Sequence, residues 1–246
     1  MWELERTFGV IAEAGFDAVE LMVTRDPRTQ SPEIPRRLAA KNGLRIAAVH
    51  APMLVITRRV WGPNFKPIID RSVELANKVG ADVVVVHPPY LWELKYQAWL
   101  IGELDRQTSQ HGVSVAVENM FRLWIGTNAV RGHRWVSPSD LQRFTQITLD
   151  TSHCGVDEYD ILEALEKVGN HLSHVHLSDS HLDHRDNHAL PGEGRLPLVP
   201  FLKELKALSY KGAVSLELDI REVLDRPEGP VEALRRAREF TLEQVG

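Results

Sequence analysis

"ADVVVVHPPY" (Ala81–Tyr90) sets four consecutive valines between the Val79-Gly80 turn and the Pro88-Pro89 stop, and its strand-like part ends on His87. A short β-branched run bounded by turn residues predicts a buried strand. The same form recurs outward in both directions. Strand-like runs are Asp17–Leu21, Arg45–His50, Asp82–His87, Val113–Glu118, Ile147–Asp150, His174–Leu177 and Ala213–Leu218. Amphipathic stretches separate them, among them Leu4–Ala14, Pro67–Val79, Tyr96–Leu104 and Asp160–Val168. Gly15, Gly43, Gly80, Gly112 and Gly212 mark helix-to-strand junctions, the place expected for a helix-ending glycine. No Pro/Gly/Ser-rich linker interrupts the pattern, so residues 1–246 read as a single α/β domain.

Alternating β and α elements imply a parallel sheet with right-handed crossovers, either doubly wound or closed as a TIM (β/α)8-type barrel. A doubly wound sheet announces itself with a Gly-rich loop after its first strand, and none is present. A barrel places functional residues at the C-terminal ends of many strands at once, which is the pattern here. Seven strands can be counted, and the chain opens directly in the helix Leu4–Ala14. The usual first strand of the barrel is therefore expected to be missing, unless "MWEL" (Met1–Leu4) is its remnant. An incomplete barrel exposes sheet edges and is a reason to expect a partner chain, such as a second copy.

Composition bounds the function. Hydrophobic residues make up 43% and charged residues 26% of the chain, enough for a proper core. The formal net charge of -5, with both signs mixed along the sequence, gives no electrostatic argument for nucleic acid or for a membrane surface. The single cysteine, Cys154, rules out an internal disulfide framework and fits a reducing cytosol. No signal peptide and no transmembrane-length apolar run is read, so a cytoplasmic protein is expected.

Chemistry gathers at the strand ends. "AAVHAP" ends on His50, "VVVHPP" on His87, "VAVENM" on Glu118, "ITLDTSH" on Asp150 and "SHVHLSD" on His176, while "VSLELD" carries Glu217. Side chains alternate across a strand, so Ala48 shares a face with His50, Val85 with His87, Ala116 with Glu118 and Ser215 with Glu217. The opposite face holds Val49, Val86, Val117, Leu149, Val175 and Leu216, suited to packing under helices. Any one of these ionisable residues alone reads as a hydrogen-bonded core or rim group. Six of them converging unpaired would be costly, and a divalent metal makes the arrangement favourable because carboxylate and imidazole are its natural ligands.

The ordered set "GFDAVEL", "HAP", "HPP", "ENM", "LDTSH", "HVHLSDS", "H-x-LPGEG" and "LEL" resembles the xylose isomerase-like TIM-barrel superfamily over nearly the whole chain, from about Phe8 to Leu242. That superfamily includes sugar isomerases and epimerases and the endonuclease IV (AP endonuclease family 2) enzymes. In the epimerase branch the resemblance implies one divalent ion (Zn, Mn, Mg or Co) on Glu118, Asp150, His176 and Glu217, with Glu118 and Glu217 as general acid and base on a sugar or sugar phosphate. In the endonuclease branch it implies three zinc ions on His50, His87, Glu118, Asp150, His153, His176, Asp186, His188 and Glu217, serving in-line attack on a phosphodiester in DNA. A metal-dependent lyase or dehydratase, and a non-catalytic metal-binding protein on the same barrel, are the remaining readings.

Substrate signals are weaker. The resemblance puts Met53, followed by Leu54, where the endonuclease branch has an aromatic that enters the DNA stack. Arg25 and Arg28 in "TRDPRTQSP" (Thr24–Pro32) are possible phosphate contacts, as is the Arg58-Arg59 pair. Trp61, Trp92 and Trp124 follow ligand-bearing strands and suit stacking on sugars or bases, and Glu20 is placed to reach a substrate. Trp99 is expected in the core, His174 one layer below His176, and His181 and His184 on an exposed loop.

Overall fold

Helices and strands alternate along the described residues, 3–54, 57 and 60–245 of this computed structural model. Met1, Trp2, Arg58 and Arg59 lie outside them, and with these the readings of the "MWEL" start and of the arginine pair. The chain divides into two units, Met1–His87 with Leu94–Val117, and Pro88–Glu93 with Glu118–Gly246.

In the first unit, α1 (Leu4–Glu13), β1 (Ala18–Met22), α2 (Glu33–Lys41), β2 (Arg45–His50), α3 (Phe65–Val79), β3 (Val83–Val86), α4 (Leu94–His111) and most of β4 (Ser114–Glu118) follow one another. β1, β2, β3 and β4 pair in parallel and in chain order. The valine run forms β3, buried throughout. α3 forms because Ile68, Ile69, Ser72, Val73, Leu75 and Ala76 recur at helical spacing on its buried face. It ends at Gly80, whose φ of 76° closes the last turn in a left-handed conformation that a side chain would strain. On the sheet, Ala48, Val83, Val85 and Ala116 meet in one buried cluster. That is the face assigned from the strand alternation to His50 and His87. Tyr96 of α4 stacks on Phe65 with ring centroids 4.8 Å apart, and Trp99 lies tilted against the same ring at 5.8 Å. Trp99, expected in the core, is instead half-buried at its margin, because its helix position lies one residue from the fully buried Leu100.

The second unit holds a hairpin, β5 (Leu123–Ile125) and β6 (Asn128–Val130), then α5 (Pro138–Leu141), β7 (Ile147–Asp150), α6 (Thr151–Val156), α7 (Ile161–Val168), β8 (Leu172–Leu177), α8 (Leu198–Ala207), β9 (Val214–Leu216), α9 (Ile220–Leu224) and α10 (Pro230–Val245). β7, β8 and β9 again pair in parallel and in chain order. Asp160 starts α7 by accepting the N–H groups of Leu162 and Glu163 at 2.8 and 3.3 Å.

Hydrogen-bonded neighbours thus follow chain order in each unit. A doubly wound sheet reverses its order at a switch point, and sequential parallel order with alternating helices is the TIM-barrel topology instead. All seven strands read from the sequence are present. Among the described residues no strand precedes α1, as the sequence count implied. No helix among them is long and apolar enough to cross a membrane.

Candidate metal centre

β7 delivers the first ligand candidate and the next element at once. Asp150 is its last residue and also the N-cap of α6, its Oδ1 accepting the His153 N–H at 2.8 Å. One carboxylate therefore starts the helix turn that aims His153. Asn119, the residue after β4, fixes the same corner. Its Oδ1 accepts the Asp150 N–H at 2.7 Å, and its Nδ2 donates to the Asp150 carbonyl at 3.0 Å. Its own carbonyl lies 2.8 Å from His153 Nδ1. An imidazole that donates one N–H to a backbone carbonyl has its other nitrogen oriented for a ligand, an arrangement usual in metal-binding histidines.

Glu118, Asp150, His176 and Glu217 converge, each offering one ligand atom within 4.8 Å of the others. His176 Nδ1 sits 2.9 Å from Glu118 Oε1, 2.7 Å from Glu217 Oε2 and 3.7 Å from Asp150 Oδ2. Glu118, Asp150 and His176 are buried, while the Glu217 side chain keeps 25% of its surface accessible. Asp150 Oδ2 is buried and accepts no hydrogen bond within the described residues. Burial, with Glu217 and Glu118 nearby, raises the Asp150 carboxyl to about 6 despite the opposing pull of His153 and His188. Three carboxylates crowding one imidazole nitrogen, one of them with an unused buried oxygen, make a donor set that a divalent cation would fit.

A second group adjoins the first. Asp150, His153 and His188 also bring ligand atoms within 4.8 Å of one another. Asp186 Oδ2 bridges His153 Nε2 at 3.6 Å and His188 Nε2 at 3.0 Å, and its Oδ1 accepts the Ser152 hydroxyl at 3.0 Å. Burial opposes charge on both histidines. Asp150 and Asp186 outweigh it, raising His153 well above its ordinary value and His188 to about 9. Burial likewise opposes the Asp186 charge, and the two histidines overcome it and hold that carboxyl well below the usual range. The segment carrying Asp186 and His188 is pinned by Asp179, whose carboxylate accepts three backbone N–H groups, from Ser180 at 2.9 Å and from Gly192 and Leu196 at 3.0 Å. It also approaches α6 closely. A Cβ built on Gly155 would lie 2.5 Å from Ser180 Cβ.

In the first unit His50 and His87 meet edge to face with ring centroids 5.0 Å apart, and His50 Nδ1 lies 3.2 Å from the Ala51 carbonyl. Glu20 is half-buried on β1.

Rim readings divide. Trp61 sits in a loop at φ 66° and is partly buried. Trp92 is exposed, whereas the Trp124 indole N–H donates to Asp157 Oδ1 at 3.0 Å and its ring stacks on His184 at 3.8 Å. His184, expected on an exposed loop, is instead half-buried in that stack, with Nδ1 3.0 Å from the Val156 carbonyl. His174 lies fully buried below His176, their rings 5.1 Å apart, and its Nε2 pairs with Ser215 Oγ at 3.1 Å. Asp157 and Asp179 were not singled out as organising residues in the sequence. Their partners are backbone N–H groups and, for Asp157, the Trp124 indole and Arg122 guanidinium more than thirty positions away, which carry no local sequence signal.

Cys154 is fully buried, and burial pushes its thiol far above the ordinary value. It is expected to resist a thiol-titrating disulfide reagent in the native protein and to react once in denaturant; rapid native labelling would contradict the burial.

The family model of the xylose isomerase-like TIM barrel matches residues 8–241. The chain belongs to the xylose isomerase-like TIM barrel family. An uncharacterized protein of Mycobacterium leprae is 31% identical, with 97% of this chain and 93% of that protein covered. A family relative from Ruminiclostridium cellulolyticum, D-psicose 3-epimerase, is 22% identical over 89% of this chain and 80% of its own length. The crystal structure of a D-tagatose 3-epimerase-like protein superposes with TM-score 0.72 at 26% identity, covering 96% of this chain and 93% of that one. An AP endonuclease, family 2, from Brucella melitensis shares the fold with TM-score 0.72 at 17% identity, covering 97% and 94%.

Proposed function

We propose that this protein is a divalent-metal-dependent isomerase or epimerase of a sugar or sugar phosphate, with Glu118 and Glu217 as its proton-transferring pair. The convergence of Glu118, Asp150, His176 and Glu217 within 4.8 Å carries this reading, and the sugar epimerases among its relatives support it. When bound there, the metal would polarise a carbonyl and the neighbouring hydroxyl, making the adjacent C–H more acidic. One glutamate removes that proton and the other returns one to the same carbon or its neighbour. Burial of Glu118 and Asp150 excludes water from the base, while the partly accessible Glu217 faces the side from which a substrate arrives. His176 Nδ1 lies 2.9 Å from Glu118 Oε1 and 2.7 Å from Glu217 Oε2, so the imidazole and both glutamates present their donor atoms to one centre.

In heavy water, metal-loaded protein is expected to wash deuterium into the carbon next to the carbonyl of a ketose or ketose phosphate. Absence of exchange over a panel of such sugars, alongside incision of a duplex containing an abasic site, would overturn the proposal.

The second reading is an endonuclease IV-like phosphodiester hydrolase, favoured by the Asp150/His153/His188 group with Asp186 beside it. Two observations weigh against DNA as its substrate. Met53, at the intercalating position, is buried and not free to enter a base stack. Arg28 is committed to Asp26, at 2.7 Å, and to Glu5, at 3.2 Å, instead of being open to a phosphate. Elemental analysis separates the two: one manganese, magnesium, cobalt or zinc per chain supports the epimerase reading, and three zinc ions support the hydrolase.

A further inference from the structure

Arg122 is held from behind, with its terminal nitrogens left open. It stands four residues after Glu118, in the loop that leaves β4. The Asp157 side chain, with no accessible surface, accepts the Arg122 backbone N–H through Oδ2 at 3.1 Å and the Nε–H through Oδ1 at 3.0 Å. The guanidinium lies over the Trp124 ring, 5.4 Å from its centroid, and Asp157 and His184 fix that ring in turn. Among the described residues nothing accepts a hydrogen bond from Arg122 Nη1 or Nη2, and 35% of the side chain is accessible. Arg28 and Arg226 differ, since each places both terminal nitrogens on carboxylates. Two further donors adjoin Arg122. Tyr159 is half-buried, and its hydroxyl has no hydrogen-bond partner among the described residues. Burial, then Asp157, lifts that hydroxyl above its ordinary value, so it remains a donor, while the charges of Arg122 and Arg131 act on it in the opposite direction. Arg131 is exposed and stands 3.7 Å from Asp140, beyond hydrogen-bond distance. All of these groups lie on the side of the metal centre. In a β-α-β unit the returning helix starts at the face where the strands end. Asp157 and Tyr159 directly precede α7, which returns from β7 to β8. Phe121, next to Arg122, packs against the His153 ring with centroids 4.8 Å apart, and Asp157 follows His153 by one helical turn, about 6 Å.

We infer that Arg122, supported by Tyr159 and Arg131, binds the phosphate group of a phosphorylated sugar whose reacting carbon lies at the metal centre. This rests on the isomerase reading and narrows its substrate from sugars in general to sugar phosphates. A guanidinium matches phosphate because two parallel N–H groups meet two oxygens of one anion. Asp157 engages Nε alone, so the terminal N–H groups stay aimed away from it. Asp157 and the Trp124 ring also fix the guanidinium before a ligand arrives, so little side-chain freedom is lost on binding. A neutral sugar offers these cations a hydroxyl at most, a weaker acceptor than an ionised phosphate oxygen.

Calorimetry on the metal-loaded full chain is expected to show a ketose phosphate binding at least about thirtyfold more tightly than the same ketose without phosphate. Arg122→Gln should bring that ratio to within about threefold. Arg122→Lys should restore little of it, because an ammonium lacks both the fork and the Nε that meets Asp157. On the unaltered chain, inorganic phosphate should compete with the ketose phosphate and leave binding of the ketose unaffected. Equal affinity for the two sugars, a ratio indifferent to either substitution, or phosphate competing equally with both sugars would each overturn the inference. If Arg122→Gln fails to fold, the lysine variant and the competition decide the matter alone. The isomerase reading fails separately. Proton exchange into both sugars at equal affinity keeps that reading and removes the phosphate site, whereas phosphate-dependent binding through Arg122 without exchange does the reverse.

Discussion

Glu118→Gln is expected to lower turnover, or solvent-proton exchange into substrate, by at least about a thousandfold while leaving the protein folded. Gln keeps the size of Glu and one carbonyl oxygen, so the contact to His176 Nδ1, now 2.9 Å from Oε1, survives in shape. What is lost is a negative charge at a fully buried position beside His176 and His153. Both the cation's charge balance and the proton acceptor go with it. Glu217→Gln should produce a loss of the same order, since Glu217 Oε2 approaches the same nitrogen at 2.7 Å. Metal content measured on the same samples separates the two contributions. A variant that still holds the metal but no longer exchanges the proton identifies the base. Activity within about tenfold of the unaltered protein for either variant would remove that glutamate from the reaction.

Asp157→Ala is expected to cost about 2–4 kcal/mol of stability. The Asp157 side chain has no accessible surface. Its Oδ2 accepts the Arg122 N–H at 3.1 Å, and its Oδ1 accepts Arg122 Nε and Trp124 Nε1, both at 3.0 Å. Truncation strands a backbone N–H and an indole N–H in the interior. The guanidinium, partly exposed, turns to water and costs little. For a chain of this length the loss corresponds to a fall in Tm of roughly 5–15 °C. Asp157→Asn should lie between, because one carboxamide oxygen replaces two acceptors and the amide N–H₂ faces donors. Urea unfolding followed by tryptophan fluorescence checks both, and a loss below about 1 kcal/mol for the alanine variant would contradict this account.

The barrel-type order was legible because it rests on local, periodic signals. The valines of "ADVVVVHPPY" and their counterparts along the chain made seven strands visible, and the structure forms all seven. His87 and Glu217 fall one residue beyond β3 and β9 and not within them. For β3 the cause is in the chain, as Pro88 and Pro89 offer no N–H to extend the ladder. Period-two alternation also puts Ala48, Val85 and Ala116 on one face, and they meet in one cluster. The hairpin is not legible in the sequence, for the converse reason. Its strands are three residues long, and their outward apolar residues mimic a buried run.

The sequence by itself determined which residue types stand at the ends of the strands, because strand alternation and parallel order are properties of consecutive residues. Only the tertiary structure decided what each of those residues does with its polar atoms. His153 and His188 share Asp186, His184 is spent on Trp124, and Asp157 reaches Arg122 and Trp124 across 35 and 33 positions of chain. Hydrogen-bond partners that far apart are selected by packing, through the desolvation cost of any buried group left unmatched, and no local pattern encodes that choice.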